Sequence, residues 1–312
     1  MKWKVLISVF TCFTKLAMAD CGFVLDAPTL NYIVSDSNST AQSTVSLTRT
    51  KDNGVPCSTF FLAFTKGLAA SYNRRATNVS NRNFIYYNIY KKSNLTGILK
   101  GPADISSPDE TFLGSISKNQ TLPFTFYMSL APFGSTPPAA GTYYDGLNVQ
   151  AYSGSYTGNN NYENYRDMFI YIVVPKFTSI SLVDSGGVYD PARTLKTLDF
   201  GELSTGQELD FDVRVVSNAG YSLKISSYNN GLLQLAGRSG SASRIDYTFS
   251  ANGSQIGLGA SASSPVTIAS GTGVTSAQGV KVPIRVVIGK VDSSKLSGIY
   301  QDYITLTTIT TD

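Results

Sequence analysis

The chain has 312 residues, 42% hydrophobic and 15% charged, with 27 Gly and 12 Pro, too apolar for a disordered chain and long enough for one large or two ordinary domains. Histidine is absent, which excludes His-based acid–base chemistry, Ser-His-Asp triads, Cys-His dyads and His-ligated metal sites. The net charge is +4, but Lys2, Lys4 and Lys15 fall in the opening stretch and the remainder is nearly balanced, so no nucleic-acid partner is expected.

Met1-Lys2-Trp3-Lys4 is a positive n-region, Val5 to Phe13 an apolar core too short to span a bilayer, and Ala17-Met18-Ala19 a small-x-small cleavage site. Residues 1–19 are therefore expected to be a signal peptide, and the mature chain to be exported and soluble. Asp20 directly before Cys21 argues against lipoprotein acylation. Cys12 leaves with the signal. Cys21 and Cys57 then form an even pair in an oxidising compartment, and a disulfide closing about 36 residues is the simplest reading. A reactive thiol pair would need a CxxC-like spacing or a basic neighbour, and neither is present.

Beyond the leader, helical periodicity is hard to find. Short β-branched and aromatic runs bounded by Gly, Asn, Ser and Pro recur: Thr44–Thr48, Thr59–Thr65, Phe84–Tyr90, Pro123–Leu130, Thr142–Tyr152, Met168–Val174, Thr178–Val183, Leu209–Val216, Tyr221–Ser226, Arg244–Ser250, Val280–Ile288 and Ile299–Ile309. This predicts an all-β chain of sandwich size, doubled. The doubling is visible in the residues. Gly141-Thr-Tyr143-Tyr-Asp145 followed by alternating apolar positions aligns with Gly298-Ile-Tyr300-Gln-Asp302. Upstream, Ile85-Tyr-Tyr87-Asn-Ile89 aligns with Ile245-Asp-Tyr247-Thr-Phe249 at nearly the same spacing.

A Tyr-x-Ile/Phe strand, an Ala/Pro-rich loop and a Gly-x-Tyr-x-Asp strand, in that order, resemble the spore coat protein U domain family. Its members are similar to the pilins of archaic chaperone–usher fimbriae of Gram-negative bacteria. The resemblance covers both halves, most clearly Phe84–Tyr90 with Ala139–Tyr152, and Arg244–Ser250 with Ser297–Ile309. The second half departs from the pattern in having no cysteine. A two-domain version resembles a fimbrial tip adhesin. The resemblance implies two Ig-like, pilin-type β-sandwich domains, no cofactor and no enzymatic activity. The implied partners are a periplasmic chaperone, an outer-membrane usher, an adjacent pilin subunit through a donor strand, and an abiotic or host surface. The implied place is the fimbrial tip outside the cell.

The two halves end differently. After the Gly141 strand come a polar stretch, Ser153–Asp167, and then Met168-Phe-Ile-Tyr-Ile-Val-Val174, apolar on both faces. The second half has nothing comparable after its Gly298 strand. The expectation is an N-terminal adhesin-like sandwich over 20–174, a boundary at Pro175-Lys176, and a C-terminal pilin-like sandwich over 177–312 that lacks its last strand. Ile304 and Leu306 would line the groove left open, for a strand from another chain. A sandwich with fewer strands is the alternative.

Several motifs resemble chemistry. Leu182-Val-Asp184-Ser-Gly186 has the look of an aspartic-protease half-site without a second one, and reads as a turn. Ser115-Ile-Ser-Lys118 lacks the companions of its enzyme class. Asp104, Asp109 and Glu110 lack calcium-loop spacing and read as loop acids. Arg74-Arg75 reads as a small basic spot in a loop. Asn-x-Ser/Thr at Asn38, Asn78, Asn94, Asn119 and Asn252 reads as composition. Binding surfaces favour loops, and the Lys51–Pro56, Lys91–Leu122 and Ser153–Asp167 stretches are placed at the end facing away from the second domain. Leu95, Ile98, Leu99, Ile105, Tyr156, Tyr162 and Tyr165 are the candidate adhesive residues there, with folding back onto the sandwich as the alternative. The function expected is a tip adhesin assembled by donor-strand complementation. A secreted coat or surface protein without adhesive role is the alternative.

Overall fold

The structure is a computed structural model that describes residues 20–34, 40–52, 55–80, 82–133 and 136–311. The signal peptide expected over 1–19, and Asn38, lie outside the described residues. No helix among those residues is long and apolar enough to cross a membrane.

Ten strands make the first half: β1 (Phe23–Asp26), β2 (Leu30–Ile33), β3 (Thr40–Arg49), β4 (Thr59–Phe64), β5 (Arg74–Asn78), β6 (Phe84–Tyr90), β7 (Phe112–Ser115), β8 (Thr121–Leu130), β9 (Gly141–Gly154) and β10 (Asn160–Val174). Their order is β1-β3-β8-β6-β5-β9-β10-β2, with β4 held between β7 and the far part of β9. Because β5 pairs with both β6 and β9, it joins the two sides of the sandwich. Side chains alternate along the long strands. Leu147, Val149 and Ala151 of β9 and Met168, Ile170 and Ile172 of β10 face one core with Phe60, Leu62 and Phe64 of β4. β10 runs antiparallel to β9 and parallel to β2, so its edges are paired on both sides.

Within this half Cys21 and Cys57 are fully buried and disulfide-bonded, with Cα atoms 5.2 Å apart. The bond ties the start of β1 to the short turn that launches β4.

The second half has β11 (Thr178–Asp184), β12 (Glu208–Ser217), β13 (Gly220–Ser227), β14 (Leu232–Leu235), β15 (Arg244–Ala251), β16 (Ser254–Ile256), β17 (Val266–Thr272), β18 (Val280–Ile288), β19 (Tyr300–Gln301) and β20 (Ile304–Thr311). One sheet orders β11-β12-β18-β15-β14-β19 with β16 on β15. The other is β17-β13-β20. Phe211, Val213 and Val215 from the first meet Tyr221, Leu223 and Ile225 from the second in a separate core.

The repeated motif has the same geometry in both halves. Tyr143 donates to the Ala139 carbonyl at 2.8 Å and Tyr300 to the Leu296 carbonyl at 2.7 Å, each four residues upstream. These are tyrosine corners at the head of equivalent strands. Gly141 and Gly298 sit at φ +134° and +148°, backbone that favours glycine. Asp145 is fully buried. Its Oδ2 accepts from the Tyr87 hydroxyl at 2.5 Å, and its Oδ1 from Leu68 N at 2.9 Å and Gly146 N at 2.8 Å. Asp302 repeats this with the Tyr247 hydroxyl at 2.6 Å, Asn229 N at 2.9 Å and Tyr303 N at 2.8 Å, and adds Ser227 Oγ at 2.5 Å. The two aligned segments are thus the two partners of one hydrogen-bonded pair, fully buried in the first half and half-buried in the second.

Burial pushes the Asp145 carboxyl above its ordinary value of 3.8, against the bonds from Tyr87, Leu68 and Gly146 and the charge of Arg74. The folded state then holds that proton more tightly than the unfolded chain, and this contribution to stability is lost as pH rises from about 4 through the folded value. Asp145→Asn removes the titration while keeping an acceptor for the backbone donors. In chemical denaturation at stepped pH, wild type should gain stability relative to Asp145→Asn as the pH is lowered towards 4. Asp145→Ala orphans buried donors and should cost about 1–3 kcal/mol for each. For the disulfide, Cys57→Ser should lower unfolding free energy by about 2–4 kcal/mol, and reducing agent should narrow the difference.

Candidate functional site

Three of the loop residues read as adhesive candidates come together on strands and a turn. The Ser153–Asp167 stretch is not a loop. β9 runs to Gly154, β10 starts at Asn160, and only 155–159 turns. Tyr162 and Tyr165 are three residues apart and would face opposite ways on a regular strand. A bulge at Glu163 resets the alternation, placing Tyr162 opposite Tyr152 and Tyr165 opposite Gln150. Glu163 itself turns inward. Its carboxylate accepts from Ser153 Oγ at 2.5 Å and Cys21 N at 2.9 Å. Tyr162 and Tyr165 are 50% and 53% exposed. Tyr152 stacks on Phe61 with centroids 4.8 Å apart, Tyr156 meets the Phe61 edge at 6.5 Å, and Tyr162 meets Tyr152 at 5.6 Å. The rings form one cluster on the outer face of the sheet.

The Lys91–Leu122 residues do not join it. Leu99 is fully buried in the first core, its N–H bonded to the Ile89 carbonyl at 2.9 Å. Lys100 accepts from Phe64 N at 2.8 Å, and Ile98 bridges to Tyr90. This segment pairs along the flank between β4 and β6, where open backbone groups require partners, instead of projecting from the end. Leu95, Ile98 and Ile105 are half-buried along it.

Other motif residues have structural duties. Arg74 is no loop cation. It lies on β5, fully buried, donating to the carbonyls of Phe64, Thr65 and Leu99 and to Asn88 Oδ1. Asp104 and Asp109 pair with Lys66 and Lys92. Burial opposes ionisation of Glu110, but the Lys100 ammonium at 2.6 Å and the Ser106 N–H and hydroxyl outweigh it and hold the carboxyl at about 2. Asp184 closes a turn with Gly187 N at 2.8 Å and pairs with Lys196. Among the described residues no group of three His, Cys, Asp or Glu is placed to hold a metal.

A second feature lies at the edge of the second half. β20 pairs on one side with β13, and β11 pairs on one side with β12. Their other edges face each other without forming a ladder. The two strands touch where the Thr178 and Thr308 hydroxyls bond at 3.0 Å. Ile180 and Leu182 of β11 and Ile304 and Leu306 of β20 pack against the second core yet stay only half-buried. The β11 edge is capped at one point, where Leu182 N donates to the Arg193 carbonyl at 2.7 Å. The equivalent position in the first half, between β9 and β2, is filled by β10.

Comparison with known proteins adds the following. A search of curated proteins finds no match. A chain of the CsuC–CsuE chaperone–tip adhesion subunit pre-assembly complex, from archaic chaperone–usher Csu pili of Acinetobacter baumannii, is similar at TM-score 0.41 and 14% identity. The similarity covers 91% of this chain and 99% of that one. The CupB6 tip adhesin from Pseudomonas aeruginosa is similar at TM-score 0.40 and 10% identity, covering 92% of this chain and 94% of that one. The CFA/I adhesin CfaE of enterotoxigenic E. coli is similar at 0.39 and 12%, covering 92% of each. The family model described as Spore Coat Protein U domain matches residues 8–150, which carry Cys21, Cys57 and the first Gly-x-Tyr-x-Asp motif.

Proposed function

We propose that the chain is a fimbrial subunit of the chaperone–usher type, exported and assembled outside the cell. Its second half accepts a donor strand, and its first half carries the attachment surface of a tip subunit. The observation that carries this reading is the difference at one position of the two sandwiches. β10 completes the first half from its own sequence, while β11 and β20 leave facing edges and half-buried Ile180, Leu182, Ile304 and Leu306. A strand entering there would run antiparallel to β20 and parallel to β11, as β10 does beside β9 and β2. It would satisfy both edges and cover the apolar side chains. The Spore Coat Protein U match and the similarity to pilus subunits and tip adhesins support the reading. The partners it implies are a periplasmic chaperone that occupies the slot before assembly, an outer-membrane usher and a neighbouring subunit. Two units, 20–174 and 177–312, divide the roles between them. No step in this function is catalytic.

Fusing an apolar donor strand after Asp312 through a short Gly/Asn turn should give a soluble monomer. Covering a few half-buried aliphatic side chains contributes several kcal/mol at about 25 cal/mol per Å², so melting should rise by roughly 10 °C. A fusion that melts with the unmodified chain, itself monomeric, would mean that the second sandwich needs no added strand.

The attachment surface is the aromatic cluster around Phe61 and Tyr152, with Tyr162 and Tyr165 exposed beside it. Tyr162→Ser with Tyr165→Ser removes exposed ring area without touching either core, so attachment of assembled fimbriae to plastic or host cells should fall while their yield is unchanged. Leu99 is unsuited to this test, since its loss opens the core and costs about 2–5 kcal/mol of stability. Full attachment by the double variant would move the contact surface elsewhere.

A further inference from the structure

The outer face of the β9–β10 hairpin continues past Tyr165 to its other end, where it becomes concave. There Tyr144, with its ring 5.5 Å from that of Tyr171 and tilted 44° to it, forms one wall of a cavity of about 560 Å³. Asn78, at the end of β5, Ser80, in the turn that follows, and Gly141 and Thr142 also line it. No charged side chain lines the cavity among the described residues.

Asn78 makes this more than a surface dimple. The residue is only 3% exposed. Its Oδ1 accepts from Ser80 N at 2.9 Å, and its own backbone bonds to Asn83 and Arg82 close the turn. Its Nδ2 has no hydrogen-bond partner among the described residues. That nitrogen lies 2.5 Å from where a Cβ on residue 141 would stand. Only glycine there leaves room for the amide, and it also supplies the φ of +134°. The residue is otherwise buried, and its unpartnered amide N–H, open to the cavity, is a fixed donor for a ligand oxygen.

We propose that this cavity binds a neutral sugar residue of a glycan, with the apolar face of the sugar ring on Tyr171 and Tyr144 and its hydroxyls on Asn78 Nδ2, Ser80 and Thr142. Flat aromatic walls with a few fixed neutral donors and acceptors suit a polyol ring. An uncharged lining offers a carboxylate or sulfate no counter-charge, and desolvating such a group there would cost affinity. The site stands independently of the attachment reading, because Tyr162 and Tyr165 lie at the opposite end of the hairpin.

The test is a glycan array probed with the full mature chain, carrying neutral glycans beside their sialylated and sulfated counterparts. Titration of the best neutral ligand by saturation-transfer NMR follows. The wild-type chain should retain at least one neutral glycan and discriminate against its acidic forms. Tyr171→Ser and Tyr144→Ser should weaken that binding by about tenfold or more. Tyr171→Phe, which keeps the ring, should retain it, as should Tyr162→Ser with Tyr165→Ser. Thermal melting of each variant distinguishes loss of the site from loss of the fold, since Tyr144 and Tyr171 lie outside the buried core. The proposal is overturned if no neutral glycan binds, if acidic glycans are preferred, or if binding is indifferent to both ring deletions in folded protein.

Discussion

A strand in a sandwich has two edges, and each edge carries backbone donors and acceptors that must be satisfied. Most of the molecule follows from how those edges are closed. In the first half β10 inserts between β9 and β2, β5 ties β6 to β9, and the 98–100 segment covers the flank between β4 and β6. In the second half β11 and β20 end their sheets facing one another, touching where the Thr178 and Thr308 hydroxyls bond. The two halves share one plan, and the position that β10 fills in the first half is taken by no strand of the second among the described residues.

That the plan is shared rests on one hydrogen-bonded carboxylate in each half, Asp145 fully buried and Asp302 half-buried. A carboxylate in a core is tolerated only when its oxygens are bonded, and Asp145 and Asp302 each take a tyrosine hydroxyl and two backbone N–H groups. The donors come from the strand upstream, from the loop ahead of it and from the residue after the aspartate. The pair therefore pins three pieces of chain that are distant in sequence. Gly67 sits at φ +65° with the Asp145 carboxylate 2.4 Å from where its Cβ would be, so the loop can approach that closely only as glycine.

What the sequence disclosed follows the same physics. The aligned Tyr87 and Tyr247, Asp145 and Asp302 were visible because a hydrogen bond withdrawn from solvent demands both partners at fixed places. The disulfide was visible because two cysteines remain once the leader is set aside. The positions of Leu99 and Arg74 were hidden. An apolar residue among Gly, Pro and Ser reads the same whether it caps an end or fills a flank. A buried arginine is betrayed only by carbonyls that converge on it from Phe64, Thr65 and Leu99. The shared face of Tyr162 and Tyr165 was hidden too, since a one-residue bulge reverses the alternation and leaves no composition signal. The polar–aromatic alternation of Tyr144, Asn148, Gln150 and Tyr152 was the available clue that β9 has an outer face as structured as its inner one.

The same hairpin also separates the two ends of the first half. Pro175 has no N–H to continue a ladder, and β10 ends one residue before it. Just beyond, Asn218 of the second half is almost fully buried. Its Nδ2 donates to the Pro175 carbonyl at 2.9 Å, its Oδ1 accepts from Phe177 N at 2.8 Å, and its carbonyl accepts from Ala140 N at 2.9 Å. One residue thus holds the chain entering β9 and the chain leaving β10. At about 3.3 Å per residue, the strands of the hairpin carry its turn roughly 40 Å from that clasp. Tyr156 and Tyr162 stand beside the turn, and Tyr144 and Tyr171 near the clasp. The distance between the two aromatic surfaces is therefore set by strand length, and their common face by the bulge at Glu163.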